Sequence, residues 1–122
     1  MTVPGLSEGL DRIRRVRKRR RFLLAQQKGR RISGPMLVVY AYRRDPLEAG
    51  NLSRLGVTVS KKVGGSVSRN RVKRWLRESY RRMGPIVGIP IDFIVIAKPA
   101  ASDAGYQALR AELSSLMRRS GI

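Results

Sequence analysis

Alternating apolar and polar positions predict the strands of this chain. Residues 36–42 are rich in β-branched and aromatic side chains, and every second side chain, including Tyr40, shares one face. Residues 54–60 alternate in the same way, and we expect the two segments to form an antiparallel pair. Residues 91–97 are almost wholly apolar, which is typical of a strand buried on both faces. A short extra strand is expected near residues 30–33.

Helical spacing of apolar residues predicts three helices. The first covers residues 18–28, and we expect Gly29 to close it in a left-handed conformation. The second covers residues 67–83, where Trp75 falls in the apolar stripe and is assigned to the core rather than to base stacking. The last is expected over residues 102–119. This order of elements predicts a sheet with helices packed on it.

The chain is long enough for one domain. Its 122 residues can fill one hydrophobic core but not two. Residues 1–16, with Pro4, Gly5 and Gly9, are expected to form a basic flexible arm, and residues 17–122 a single domain. No apolar run approaches the roughly 18 residues that cross a bilayer. We therefore expect no membrane association and a cytoplasmic location.

Composition removes the usual catalytic groups. The chain has no Cys and no His, so it lacks a thiolate nucleophile, a Cys-based metal site and the base of a catalytic triad. The eight acidic residues are scattered, and Asp45 and Glu48, three residues apart, flank Pro46 in a predicted turn. Metal-assisted hydrolysis of a phosphodiester needs several oxygens that converge on one ion. The sequence therefore argues against a nuclease that acts alone, and it identifies no metal site.

Positive charge is concentrated in two stretches. The chain carries 27 basic and eight acidic residues, a formal charge of +19. Residues 12–31 contain eleven basic and no acidic side chains, and residues 61–82 contain nine basic ones and the single acid Glu78. Most of them are Arg, whose planar guanidinium binds phosphate and stacks on bases. A solvated arm and helix face would also fit, but self-repulsion at this charge favours a nucleic-acid partner.

Residues 61–74 form the most specific motif. They read Lys-Lys-Val-Gly-Gly-Ser-Val-Ser-Arg-Asn-Arg-Val-Lys-Arg, after a predicted strand and at the start of a predicted helix. This run resembles the signature of the protein subunit of bacterial ribonuclease P, whose core is the Arg-Asn-Arg of residues 69–71. The Ala-Lys-Pro-Ala of residues 97–100, the chain length and the order of elements also fit.

The resemblance implies a fold and a division of labour. The fold is an α/β (α+β) two-layer sandwich of about four strands and three helices, with a left-handed βαβ crossover, and it is similar to ribosomal domains. The RNA subunit would use Mg²⁺ to remove the 5′ leader from precursor tRNA, while the protein, as an accessory RNA-binding subunit, holds the RNA and the leader. The expected partners are therefore the ribonuclease P RNA and precursor tRNA, with no stable protein partner.

The residues of the motif favour phosphate binding on their own account. Gly64 and Gly65 permit a tight turn, and the helix that follows offers unpaired N–H groups to an anion. Asn70 is expected to donate or accept a directed hydrogen bond, or alternatively to cap the helix start. The predicted RNA-binding residues are Lys61, Lys62, Arg69, Asn70, Arg71, Lys73, Arg74 and Arg77.

The resemblance also assigns a leader-binding cleft to Arg15, Phe22, Gln26 and Tyr40. Base stacking on such rings contributes roughly 1–3 kcal/mol per base. A core position for Phe22 and a wet sheet face for Tyr40 are the alternatives. Gln26 departs from the family pattern by replacing a second aromatic residue, and Gly65 departs from it by replacing an Asn. These departures leave the leader preference open.

Two other classes of protein are alternatives to this interpretation. A structural or ribosomal-type RNA-binding protein with no enzymatic partner would share the basic charge, but the spacing from the two lysines to the Arg-Asn-Arg argues against it. A DNA-binding protein would more often show a helix-turn-helix or a dimerising seam, and neither pattern occurs in the sequence.

Overall fold

The computed structural model describes residues 14–45, 52–84 and 90–121. Over these ranges the chain forms one sheet of four strands and three α-helices, with a short 3-10 helix at Pro99–Asp103. The elements in chain order are α1 (Arg19–Lys28), β1 (Arg30–Ser33), β2 (Leu37–Arg43), β3 (Arg54–Thr58), α2 (Ser66–Arg82), β4 (Ile91–Ala97) and α3 (Tyr106–Arg119). The predicted strands and helices are therefore all present.

The strands follow the order β1-β2-β4-β3 across the sheet. The β1–β2 and β2–β4 pairs are antiparallel, and β3 and β4 are parallel, with Ile94 opposite both Tyr40 and Gly56. The predicted antiparallel pairing of β2 with β3 is wrong, because β4 lies between them. Since β4 is apolar on both faces, it takes the central place, and α2 carries the chain from β3 back to a parallel neighbour. The left hand of this crossover stays a prediction.

The sheet separates a large core from a small one. The large core lies between the sheet and the helices α2 and α3, where Val39, Leu76 and Leu113 are fully buried. The small core lies on the other face beneath α1 and contains Val16, Ala25 and Ile94. Strand β2 contributes side chains to both cores, as its alternation predicts. The α+β sandwich expected from the sequence is confirmed.

Two predicted helix ends are wrong. Gly29 has φ −77°, so it is extended rather than left-handed, because β1 begins at the next residue. A side chain is excluded there for another reason, since a Cβ at Gly29 would lie 2.4 Å from the Ala25 carbonyl oxygen. The last helix begins at Tyr106 rather than at residue 102, because Gly105 adopts φ +84° after the 3-10 helix and separates the two segments.

The N-terminal arm joins the domain earlier than predicted. Val16 is buried, and its N–H donates to the Leu55 carbonyl oxygen at 2.8 Å, while Arg15 forms a bridge to the same residue. Arg14 is also buried and donates to the carbonyl oxygens of Tyr80 (3.2 Å) and Gly84 (2.9 Å) at the end of α2. The boundary after residue 16 is therefore too late. Residues 1–13 lie outside the described residues.

A buried ion cluster ties three strands together at one end of the sheet. The fully buried Asp92 on β4 accepts hydrogen bonds from Arg44 (2.6 Å), just after β2, and from Arg54 (2.9 Å) on β3. These arginines neutralise a buried carboxylate, so they serve the fold rather than a polyanion. None of the described helices is both long and apolar enough to cross a membrane.

Candidate nucleic-acid interface

A tight turn places two lysines at the start of α2. Lys61 and Lys62 are exposed, while Val63 beside them is buried and fixes the turn to the large core. The N–H of Gly64 donates to the Lys61 carbonyl oxygen at 3.2 Å, and its φ of +154° favours glycine. Gly65 precedes the first helical residue, and among the described residues no side chain forms a capping hydrogen bond at the start of α2. The first N–H groups of α2 are therefore available to an anion beside the two lysines.

Five predicted RNA-binding side chains form a basic arc along α2. The basic arc comprises Arg69, Asn70, Lys73, Arg74 and Arg77. Asn70 and Arg74 are exposed, and the other three are partly exposed. From its first to its last residue the arc spans about 12 Å at 1.5 Å per residue. Asn70 lies in the second turn, so its alternative role as the helix cap is wrong.

Glu78 ends the basic arc. Its carboxylate accepts hydrogen bonds from Arg81 (2.9 Å, Nε to Oε2) and from Arg82 (2.9 Å, Nε to Oε1). These hydrogen bonds, first from Arg81 and then from Arg82, lower the pKa of Glu78 to about 2 from its ordinary 4.5. At neutral pH the carboxylate therefore engages the last two arginines of α2. Within the described ranges, no ion pair ties a residue of the basic arc to a carboxylate.

Arg77 connects the basic arc to the N-terminal basic stretch. Its pKa is lowered first by burial and then by the positive charge of Arg15. Arg15 reaches this place because its backbone bridges to Leu55 at the outer side of β3. The two guanidinium groups repel each other in the isolated protein. An anion between them would relieve that repulsion.

On the opposite face of the sheet, three aromatic residues pack over the small core. We call Phe22, Tyr40 and Tyr42 the aromatic cluster; all three are partly buried. Phe22 lies over Gly56, where a Cβ would come within 2.7 Å of its ring. Phe22 and Tyr40 thus pack against the small core while part of each side chain stays accessible, and their role in leader binding stays a prediction. They provide ring surface that is both packed from below and partly accessible.

The other two predicted cleft residues lie outside the aromatic cluster. Gln26 is exposed on α1, one turn after Phe22, and Arg15 lies by the edge of β3. Sequence reasoning missed Gly56 and Tyr42 as parts of this surface. A glycine inside a strand was the available signal for close approach of a ring. The alternation that assigns Tyr40 to this face assigns Tyr42 to it as well.

Arg71 and Trp75 occupy the flank of α2 next to the basic arc. Trp75 is partly buried and packs against the large core, as the apolar stripe predicts. The guanidinium carbon of Arg71 lies 5.4 Å from the centre of its ring. Farther along the same flank, the guanidinium of Arg82 lies 6.0 Å from the ring centre of Tyr106. Each of these arginines therefore stacks on an aromatic ring.

The carboxylates of the described residues do not form a metal site. No group of three or more His, Cys, Asp or Glu comes together in this part of the chain. Asp92 is engaged by two arginines and Glu78 by two others. Glu112 accepts the backbone N–H groups of Met36 (2.8 Å) and Leu37 (2.6 Å). These side chains are used for folding, and they do not fit the oxygen-rich shell that Mg²⁺ prefers.

Comparison with known proteins identifies the family. The family model described as Ribonuclease P matches residues 10–121. The ribonuclease P protein component of Clostridium acetobutylicum is 36% identical over 108 residues, which cover 88% of this chain and 89% of the relative. That of Gluconacetobacter diazotrophicus is 36% identical over 115 residues, with 92% and 95% covered. These relatives do not favour a structural RNA-binding protein without an enzymatic partner.

Solved structures agree with the sequence relatives. The RNase P protein of Staphylococcus aureus superposes with a TM-score of 0.75 at 29% identity, over 89% of this chain and 96% of that one. The RNase P protein of Thermotoga maritima superposes with a TM-score of 0.73 at 32% identity, over 86% and 96%. The match spans the basic arc and the aromatic cluster alike, and the chain belongs to the ribonuclease P protein family.

Proposed function

We propose that this chain, a protein component of ribonuclease P, contacts the RNA subunit through the basic arc and its lysine turn. We further propose that it binds the 5′ leader of precursor tRNA on the aromatic cluster. The observation that carries this proposal is the basic arc, a row of cations on one helix that no carboxylate of the described residues neutralises. A phosphate backbone would supply the missing negative charge and release its counterions.

The two surfaces suit different parts of the substrate complex. Guanidinium and ammonium groups along a helix bind phosphates at fixed spacing but do not select a sequence. Partly exposed rings instead stack on unpaired bases, which a single-stranded leader offers and a folded tRNA body does not. Arg15, beside β3, lies close enough to Arg77 of the basic arc to lower its pKa, so one leader phosphate could contact both guanidinium groups. We infer that the protein recognises precursor tRNA by the presence of its leader.

The chemical step is assigned to the RNA subunit. The described residues hold no general base of the His or Cys type, and their carboxylates do not fit a Mg²⁺ site. We therefore place the Mg²⁺ that hydrolysis requires on the RNA and derive no step through the protein. The purified protein, free of RNA, should cleave no precursor tRNA with any divalent metal. Robust cleavage by such a sample would refute this assignment.

Binding measurements on two ligands test the assignment of surfaces. Replacing Arg69, Asn70 and Arg71 with Ala should weaken binding to the cognate ribonuclease P RNA more than binding to a single-stranded leader oligonucleotide. Gel-shift affinities for both ligands give the comparison. A variant with Arg118→Ala and Arg119→Ala also removes two positive charges, here at the exposed end of α3, and it controls for net charge. Equal losses for the two ligands, or the same loss in the control, would overturn the assignment.

A further inference from the structure

The flank of α2 beside the basic arc carries two stacked arginines with different surroundings. Arg82 stacks on Tyr106 and also donates to Glu78, so a carboxylate already occupies its guanidinium. Arg71 stacks on Trp75, and among the described residues no carboxylate lies within ion-pair distance of it. Stacking alone leaves the outer edge of a guanidinium open to a phosphate. Of the two arginines, Arg71 is therefore the one equipped to bind an anion.

The indole of Trp75 fixes the position of the Arg71 side chain. Arg71 Nε is buried and has no hydrogen-bond partner among the described residues, and the guanidinium carbon beside it lies 5.4 Å from the centre of the Trp75 ring. Trp75 is itself held because it packs against the large core. An Arg side chain that is already restricted loses less rotamer freedom when it binds. The Trp75 ring therefore holds the Arg71 side chain in place, as a carboxylate usually does, but it leaves the positive charge of Arg71 unneutralised.

Arg71 extends the positive surface around the helix. It lies three residues before Arg74, and three residues at 3.6 per turn amount to about 300°, so the two side chains are about 60° apart around the axis. The contact surface then covers the basic arc and the adjoining flank. We propose that Trp75 is a positioning residue, which holds Arg71 ready to bind a phosphate of the ribonuclease P RNA on this flank. The inference rests on the proposed function, since it requires α2 to bind that RNA.

A double-mutant cycle tests whether Trp75 acts through Arg71. Dissociation constants for the cognate ribonuclease P RNA are measured at one salt concentration for the wild type, Trp75→Leu, Arg71→Ala and the double variant. Trp75→Leu keeps an apolar side chain against the core and removes the ring, and it should weaken binding about two- to fivefold. In the Arg71→Ala background the same change should have no further effect. Trp75→Phe, which restores a ring, should recover most of the affinity.

Intrinsic fluorescence gives a second readout that needs no change at residue 75. Trp75 is the only tryptophan of the chain, so its emission reports on this flank alone. Addition of the RNA should shift or quench the emission of the wild type, and the change should be much smaller for Arg71→Ala. An emission that does not respond to RNA in the wild type would overturn the proposal.

The possible results distinguish a failure of this inference from a failure of the proposed function on which it rests. Loss of affinity from Trp75→Leu that is equal in both Arg71 backgrounds would mean that Trp75 only stabilises the helix, and it would refute the positioning role. No loss from Trp75→Leu would refute it as well. Arg69→Ala serves as the reference for the basic arc. If Arg69→Ala weakens binding but Arg71→Ala does not, the inference fails and the proposed function stands; if neither does, the proposed function itself fails.

Discussion

A methyl group added at Gly56 should displace the Phe22 ring from the surface proposed to bind the leader. A Cβ at Gly56 would lie 2.7 Å from Phe22 Cζ and 2.8 Å from Ile94 Cδ1. Ordinary carbon–carbon contacts are about 3.5–4.0 Å, so the ring must retreat by about 1 Å. Because Phe22 is partly exposed while Ile94 is fully buried, we expect the ring to move outward rather than the sheet to deform.

The size of the effect follows from overpacking. Forcing a methylene-sized group into a packed site costs about 1–3 kcal/mol, and the open side of Phe22 places Gly56→Ala near the lower end. For a domain of this size that is a fall in Tm of about 4 °C per kcal/mol, measured by circular dichroism. Leader affinity should fall at least about fivefold, because a displaced ring loses stacking worth roughly 1 kcal/mol or more. Fluorescence anisotropy of a labelled precursor tRNA bound to the reconstituted complex measures that loss.

The control is Gly56→Ala in a variant that lacks the Phe22 ring. In a Phe22→Leu background the ring atoms that the new methyl would strike are gone and the contact with Ile94 Cδ1 remains, so Gly56→Ala should cost less stability there than in the wild type. Leader affinity, already reduced by Phe22→Leu, should not fall further. Equal costs in the two backgrounds would show that Phe22 does not depend on Gly56. Unchanged leader affinity in Gly56→Ala would refute the assignment of Phe22 to leader binding.

Four further outcomes follow. Tyr40→Ala should lower affinity for precursor tRNA by roughly 1 kcal/mol or more at every salt concentration, since stacking releases few counterions. Affinity for mature tRNA, which has no leader, should not change, and equal losses for both ligands would remove Tyr40 from leader binding. Gln26→Phe should tighten leader binding by adding a ring, and unchanged anisotropy titrations would contradict this. Glu78 has a pKa lowered to about 2 from 4.5, so its contribution to stability is present above pH 4.5 and lost as the pH falls toward 2; urea melts of the wild type and Glu78→Gln should converge in acid, and a constant difference would contradict the pairing of Glu78 with Arg81 and Arg82. Gly65→Asn should stabilise the protein by roughly a few tenths of a kcal/mol in thermal melts, since an Asn before α2 can cap its N–H groups, whereas a lower Tm would show that the side chain is strained there.

Local sequence patterns were sufficient to predict the strands and helices but not which strands lie next to each other. Alternation and apolar runs predict β2, β3 and β4, because each pattern depends only on which faces a strand buries. The pairing of β2 with β3 was wrong because pairing depends on a strand that comes later in the chain. The start of α3 was placed too early because Gly105, with its positive φ, interrupts a stretch whose composition continues to favour a helix.

The candidate site shows the same contrast: its local features can be predicted from the sequence, and its contacts between distant residues cannot. Charge and spacing predict the basic arc, since consecutive turns of one helix place those side chains together whatever the rest of the fold does. The use of Arg81 and Arg82 by Glu78 could have been anticipated from their spacing of three and four residues. The approach of Arg15 to Arg77 could not, because it depends on where the N-terminal segment meets β3. The ring of Phe22 over Gly56 likewise joins residues from two distant parts of the sequence.

The contact of the N-terminal segment with β3 also bears on pairing between the sheet edges of separate molecules. β3 is an outer strand of the sheet, and an uncovered outer strand offers unpaired N–H and C=O groups to another molecule. Here Arg15 bridges to Leu55 and the N–H of Val16 donates to its carbonyl oxygen, so part of that template is already occupied from within the chain. The other outer strand, β1, carries the exposed Arg30 and Arg31, whose charges oppose stacking of like copies. The same arginine-rich stretch that suits the protein to RNA therefore also guards the sheet against edge-to-edge aggregation while the RNA is absent.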